Sequence, residues 1–215
     1  MSRLSLALTA FILSVSQTAC VSMSSLQTAE TLEKGRKQTT IGGGYYASDD
    51  TSTVTNERIE TKTPYLELSY REGLAENFDA GVKLTIIGSV SADAKYRLID
   101  GKGFDLSVGG GAGYFSMSSG SGEAEVQSTS VDLILPVYAS YRLHESFAVY
   151  ATPRYVYRIL NRSGAESSST NQSLVGGAGG FKIGKDWGVY LEAAYQKDTG
   201  SDFALMQYNV SFFWE

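Results

Sequence analysis

The chain has 215 residues, with 18 Lys and Arg against 23 Asp and Glu, a formal charge of −5, 42% apolar and 12% aromatic residues, 23 Gly, one Cys and one His. This composition excludes a disordered tail and a helical membrane protein, and the lack of any basic block excludes nucleic acid as a partner. One cysteine rules out an internal disulfide and one histidine a His-rich metal site, so neither a metal nor a cofactor is expected.

Residues 1–19 read as a secretory signal peptide. Arg3 supplies the positive start, and Leu4 to Val15 form an apolar stretch too short to span a membrane. Gln17, Thr18, Ala19 and Cys20 close it. Small residues ahead of a cysteine resemble the bacterial lipoprotein signal, here with Gln17 where an aliphatic residue is usual. The resemblance implies a fatty-acyl (palmitate) anchor on Cys20, which tethers the N-terminus to a membrane leaflet. Ser14, Val15 and Ser16 offer ordinary cleavage as the rival, with Cys20 then removed or left as a bystander. Residues 20–35 follow as a lipidated N-terminal linker or a short plug-like segment, with no apolar stripe wide enough to found a domain.

From Arg36 onward the pattern has a period of two. Pro64 to Arg71 sets Leu66, Leu68 and Tyr70 against Glu67, Ser69 and Arg71; Phe78 to Gly88 sets Ala80, Val82, Leu84 and Ile86 against Asp79, Lys83 and Thr85. Val131 to Arg142 and the final Tyr208, Val210, Phe212 and Trp214 repeat the alternation, which belongs to strands with two unlike faces. Ten strands are expected, at 36–48, 63–71, 78–88, 90–99, 104–117, 128–142, 147–160, 173–184, 188–197 and 203–214. Long polar connections at 49–62, 118–127 and 161–172 fall on odd-numbered junctions and tight turns on even ones. That is the asymmetry of an antiparallel up-and-down barrel with one open rim. The tight junction at Gly88 and Ser89 is the exception.

Alternation alone leaves the inside open: a soluble lipocalin-like, lipid-binding barrel turns its apolar face inward and a transmembrane barrel turns it outward. Strand length favours the membrane. The polar parity also carries charges of both signs, Glu67, Arg71, Asp79, Lys83, Asp93, Lys95, Arg97, Asp105, Asp132, Arg142, Arg154, Arg158, Lys182 and Glu192, which could pair across a narrow lumen. Tyr70, Tyr114, Tyr141, Tyr155, Tyr157, Tyr195, Trp214 and either Tyr45 or Tyr46 recur near strand ends, where aromatic belts sit.

These features resemble the small bacterial outer-membrane β-barrels of the outer-membrane protein A, X and W type, over residues 36–215. The resemblance implies an all-β, antiparallel transmembrane β-barrel of ten strands, with eight as the alternative, monomeric in outer-membrane lipid of a Gram-negative envelope. The last strand, Tyr208, Phe212 and Trp214, is similar to the C-terminal signal that this family presents to the barrel assembly machinery, although Glu215 follows the final aromatic. An even strand count places the N-terminus and C-terminus together on the tight-turn rim, which the family keeps in the periplasm.

Candidate chemistry is sparse. His144, Glu145 and Ser146 have the residue types of a nucleophilic site but fall in a tight turn, so no catalytic role is assigned. The glycine runs 42–44, 109–113 and 176–180 lack the helix and Lys that a phosphate loop needs. They suit coiled strands with bulky inward neighbours. Pro136 and Pro153, almost equidistant from that turn, predict a gap or bulge in the ladder. The expected function is a non-enzymatic outer-membrane barrel with a structural, surface-contact or narrow-conduit role.

Overall fold

The computed structural model describes residues 22–51, 58–119, 126–163, 167–201 and 204–215. The expected signal peptide, residues 1–19, and Cys20 lie outside the described residues. The described residues form ten strands: β1 (Lys37–Thr51), β2 (Arg58–Ala75), β3 (Phe78–Thr85), β4 (Ser89–Asp100), β5 (Phe104–Ser119), β6 (Val126–His144), β7 (Phe147–Ser163), β8 (Ser168–Gly184), β9 (Trp187–Asp198) and β10 (Ala204–Trp214). Each pairs antiparallel with its sequence neighbours. β1 meets β10 from Thr39↔Trp214 to Ser48↔Leu205, which closes the barrel and leaves no sheet edge. The ten-stranded reading is therefore the observed one, and the eight-stranded alternative is not.

Strand ends differ from the sequence expectation in an ordered way. β2 and β8 start at Arg58 and Ser168 rather than at residues 63 and 173, because polar loop residues continue the ladder, as where Arg162 pairs with Ser168. β3 stops at Thr85 rather than at residue 88, and Gly88, at φ +92°, turns the chain into β4. Register shifts at Gly73/Ala75, Arg97/Ile99 and Arg142/His144 lie at the tight-turn rim, where bulges end the pairing. The prolines act as expected. The β6–β7 ladder is interrupted between the pairs Pro136↔Arg154 and Ala139↔Ala151, since Pro153 has no N–H to give.

The structure settles which of the two alternating faces is inside. Leu66, Leu84, Leu133, Leu135, Val210 and Phe212 point outward with 50 to 60% of their surface exposed, while Glu67, Asp79, Lys95, Asp132, Arg158 and Glu192 are buried in the lumen. Tyr45, Tyr70, Tyr114, Tyr141, Tyr155, Tyr195 and Trp214 also face outward. The described strands turn their charges inward and most of their large apolar residues outward, the reverse of what a soluble lipid-binding barrel requires. An outer surface this apolar needs lipid against it.

Candidate functional site: the occupied lumen

The lumen is filled by the chain itself. Residues 22–33, expected as a linker or a plug-like segment, run along the inside of the barrel, and Ser22, Met23, Ser24, Ser25, Leu26, Gln27, Thr28, Ala29 and Thr31 are all buried there. Three features turn the segment into β1 at the tight-turn rim. Gly35 adopts φ +81°, its N–H donates to the Gly73 carbonyl at 2.7 Å, and the Gly73 N–H donates to the Arg36 carbonyl at 2.9 Å. Gly73 is needed for close passage: a Cβ there would lie 2.1 Å from the Glu33 carbonyl oxygen and 2.6 Å from that of Leu32.

Followed back from that rim, the segment runs up the lumen. Leu32 N–H donates to Asp79 Oδ2 at 3.0 Å, low on β3. Ala29 N–H donates to Ser140 Oγ at 3.1 Å, and Ser107 Oγ donates to the Ala29 carbonyl. Lys95 Nζ donates to the carbonyls of Thr28 and Glu30, each at 2.8 Å. Glu192 accepts the N–H groups of Ser25 at 2.8 Å and Leu26 at 2.9 Å. Arg154 reaches Ser25 Oγ at 2.9 Å, and Lys83 donates to the Ser24 carbonyl and hydroxyl. At the far end Glu67 accepts Ser22 Oγ at 2.6 Å and Ser24 Oγ at 2.8 Å, while Gln207 Oε1 accepts the Met23 N–H at 2.7 Å.

The physical logic is that of a peptide without a strand partner. An extended backbone inside a barrel carries N–H and C=O groups that must be satisfied. Here Glu192, Asp79, Gln207 and Ser140 take backbone N–H donors, and the ammonium groups of Lys83 and Lys95 and the Ser107 hydroxyl take carbonyls. Apolar side chains fill the rest: Met23 packs in a cluster with Tyr46, Tyr65, Ala178, Ala194 and Leu205, and Leu26 in one with Tyr150, Tyr190 and Phe213. Leu26 holds φ 50°, a left-handed turn that presents two successive N–H groups to the Glu192 carboxylate. Tyr150 donates to the same carboxylate at 2.8 Å.

All eleven charged positions assigned to a lumen network, Glu67, Arg71, Lys83, Asp93, Lys95, Arg97, Asp132, Arg142, Arg154, Arg158 and Glu192, lie on the inward parity, but they fall into distinct groups. Arg71 bridges Asp79 and Asp93, and Lys95 stands 3.6 Å from Asp79. Arg158 clasps Asp132 through Nε at 2.8 Å and Nη2 at 2.7 Å, on the β6–β7 wall. Arg97 donates to Asn77 Oδ1 and stands 3.1 Å from Asp100, and Arg142 reaches Asp105 at 3.2 Å and Glu30 at 3.4 Å, all near the tight-turn rim. Glu67, Lys83, Arg154 and Glu192 bond the N-terminal segment, as Lys95 and Arg142 also do. Beneath that segment a vestibule of about 350 Å³ opens on the tight-turn side, lined by Thr31, Arg71, Asp79, Lys95, Lys182 and Glu215 among others.

Closed antiparallel ladders, a polar lumen and an apolar outer face together decide the class, and the comparison with solved structures agrees. The translocator domain of the autotransporter NalP from Neisseria meningitidis matches with a TM-score of 0.50 at 11% identity, over 98% of this chain and 95% of that one. The fold is that of the outer-membrane β-barrels. The outer-membrane protease OmpT from Escherichia coli matches over 87% of this chain and 99% of that one, with a TM-score of 0.49 at 12% identity. Ail, the attachment invasion locus protein of Yersinia pestis, matches over 84% and 98%, with a TM-score of 0.47 at 10% identity. Neither a protein family nor a curated protein matches the sequence.

Of the two ends of the described chain, the C-terminal one follows the sequence reading and the N-terminal one departs from it. The C-terminal Glu215 lies at the tight-turn rim, where its carboxylate takes Gln38 Nε2 at 3.0 Å, Arg36 at 3.2 Å and Lys182 at 3.4 Å. The hydrogen bond to Asp186 and the charge of Glu215 hold the Arg36 guanidinium above its usual pKa. The N-terminal end of the described chain is not at that rim, as expected, but in the opposite half. The strand count fixes where β1 begins; it says nothing of a preceding segment that reverses at Gly35. Sequence reasoning also missed Ser22, Ser24 and Ser25 as ligands of the lumen carboxylates and bases. The signal was there, as three serines in a polar stretch that faces a set of strands rich in inward charge.

The His144 and Ser146 pair sits in the exposed β6–β7 turn, with Nδ1 and Oγ 3.1 Å apart, and Glu145 pairs with Lys185 at 3.6 Å instead of backing the imidazole. The glycine runs lie in β1, β5 and β8. Tyr208, Phe212 and Trp214 stand on the outward face of β10, beside the closing β1 ladder.

Proposed function

We propose that this chain is a non-enzymatic outer-membrane barrel stoppered by its own N-terminal segment, with a structural or surface-contact role exercised through its Ser- and Thr-rich loops. The observation that carries this reading is that inward charges which could have lined an aqueous conduit bind residues 22–33 instead, from β3, β4 and β9 through the segment's backbone and from β2, β6 and β7 through its side chains. A ten-stranded lumen is already close to the size that side chains fill, and a buried peptide closes it further. A narrow conduit is the weaker reading for that reason.

Export would use residues 1–19 as a signal peptide, with Cys20 acylated by a lipoprotein pathway, the outward Tyr208, Phe212 and Trp214 presented to the barrel assembly machinery, and the tight-turn rim in the periplasm. The resemblance of Thr18, Ala19 and Cys20 to a lipoprotein signal supports the anchor, and the apolar outer face supports the membrane. A monomer fits a barrel with no free edge.

Three measurements test the proposal. Envelope fractions run on a gel with and without heating should give a heat-modifiable outer-membrane band; a band that washes off in carbonate contradicts it. Radioactive palmitate should label the wild type and not Cys20→Ala, and equal labelling defeats the lipoprotein assignment. In planar bilayers the wild type should pass little current, whereas deletion of residues 22–33 should open steady conductance. An already conducting wild type overturns the stopper.

A further inference from the structure

We infer that the barrel threads its own N-terminus through the lumen and displays it on the open-loop rim, beside the β3–β4 hairpin. The inference rests on the outer-membrane reading above and deepens it by assigning the side on which the N-terminal anchor lies.

Direction carries the first part. The segment meets Asp79 and the Gly73 region near the tight turns, then Lys95, then Glu192, then Lys83 and Glu67, in the order Leu32, Thr28, Leu26, Ser24, Ser22. Glu67 stands opposite Thr85, the last residue of β3, and Gln207 lies three residues into β10 from Ala204. At Ser22, therefore, the chain is already level with the open end of β3.

The wall carries the second part. β3 is the shortest strand, with 8 residues, against 16 to 19 in β5 to β8, so the barrel is lowest at the β3–β4 hairpin. That hairpin is also where the emerging segment sits. Lys83 bonds Ser24, and Ile87 at the hairpin tip packs inward against both the cluster that holds Met23 and the one around Phe115, whereas its neighbour Ile86 points outward with 73% exposure. A chain that leaves the lumen ahead of Ser22 has its lowest wall to pass here, on the loop side, opposite the leaflet that a linker free at the tight-turn rim would reach.

The test places one short epitope at a time in the full-length protein: between Val21 and Ser22, within 120–125 of the β5–β6 loop, or at Lys102 in the β4–β5 turn. Antibody binding is read on intact and then on permeabilised cells, with heat-modifiability checked for each variant. The N-terminal epitope should side with the 120–125 epitope, near full staining on intact cells, while Lys102 stays at background until permeabilisation. An N-terminal epitope that sides with Lys102 overturns the threading while leaving the barrel intact. Equal access to all three on intact cells removes the membrane sidedness itself and takes both readings with it. A second variant, Gly73→Ala, should release the segment from the lumen without unfolding the barrel. Its N-terminal epitope should then lose intact-cell staining, and unchanged staining counts against threading.

Discussion

Glu192, on the inner face of β9, accepts the backbone N–H of Leu26 at 2.9 Å through Oε2, while its other oxygen takes the preceding N–H, that of Ser25, at 2.8 Å. A strand side chain thus does for the threaded segment what a neighbouring strand does for a sheet. Glu192→Ala removes an acceptor from two amides and from the Tyr150 hydroxyl, each worth about 1–3 kcal/mol when left buried without a partner. The expected result is a barrel that still folds but flickers open in planar bilayers, with Glu192→Gln, which keeps one carbonyl oxygen, intermediate. Identical closed traces for all three proteins contradict the anchoring role.

The turn at Gly73 is the second control point. Gly73→Ala should push the Glu33 and Leu32 carbonyls away, since a Cβ 2.1 Å from a backbone oxygen has no flexible group to displace. Proteolysis of purified protein should then cut within 30–36 well before the strands. Gly110→Ala, where an added Cβ meets nothing within 4 Å, is the matched control and should behave as wild type.

Asp132 and Arg158 hold the β6–β7 wall, with side chains only 2% and 3% exposed. Asp132→Ala strips the guanidinium of its carboxylate and should cost about 3–5 kcal/mol in urea unfolding from detergent micelles, because a buried charge loses its compensation. Replacing both, as Asp132→Leu with Arg158→Met, should recover most of that loss. An Asp132→Ala protein as stable as wild type defeats this assignment.

The outward face makes a depth-dependent prediction. Leu135, at the centre of β6 and 60% exposed, should cost about 2–4 kcal/mol as Leu135→Arg, while Leu143→Arg, by the tight-turn rim, should cost about 0–1 kcal/mol. Refolding into lipid vesicles across a urea series measures both. Equal costs would mean that the apolar belt faces something other than a bilayer.

Much of this was legible in the residues. The alternation of Leu66, Leu68 and Tyr70 with Glu67, Ser69 and Arg71 specified the strand and its two faces, because a one-residue slip would put charge against lipid. Pro136 and Pro153 marked the broken ladder, since neither can donate. The tight junction at Gly88, an exception to the loop pattern, proves to be the low wall beside Ser22 and Ser24. What the charges do was not legible. A period of two says that Glu192 and Lys83 point inward, but not what stands across from them, and a peptide held mainly through its backbone leaves little trace in its own side chains. Residues 22–29 have no period because their neighbours bury every one of them.

The central claim, that residues 22–33 occupy the lumen, is tested most directly by bridging it to the wall. The Ala29 N–H lies 3.1 Å from Ser140 Oγ. In a Cys20→Ala background, Ala29→Cys with Ser140→Cys should be joined by oxidation or a short thiol cross-linker in the folded, membrane-inserted protein. Both thiols should then be protected from a polymer-linked maleimide after unfolding. Ala29→Cys paired with the lipid-facing Leu135→Cys should stay fully reactive. Full reactivity of the Ala29–Ser140 pair, equal to that control, would contradict the threaded segment and with it the stoppered barrel.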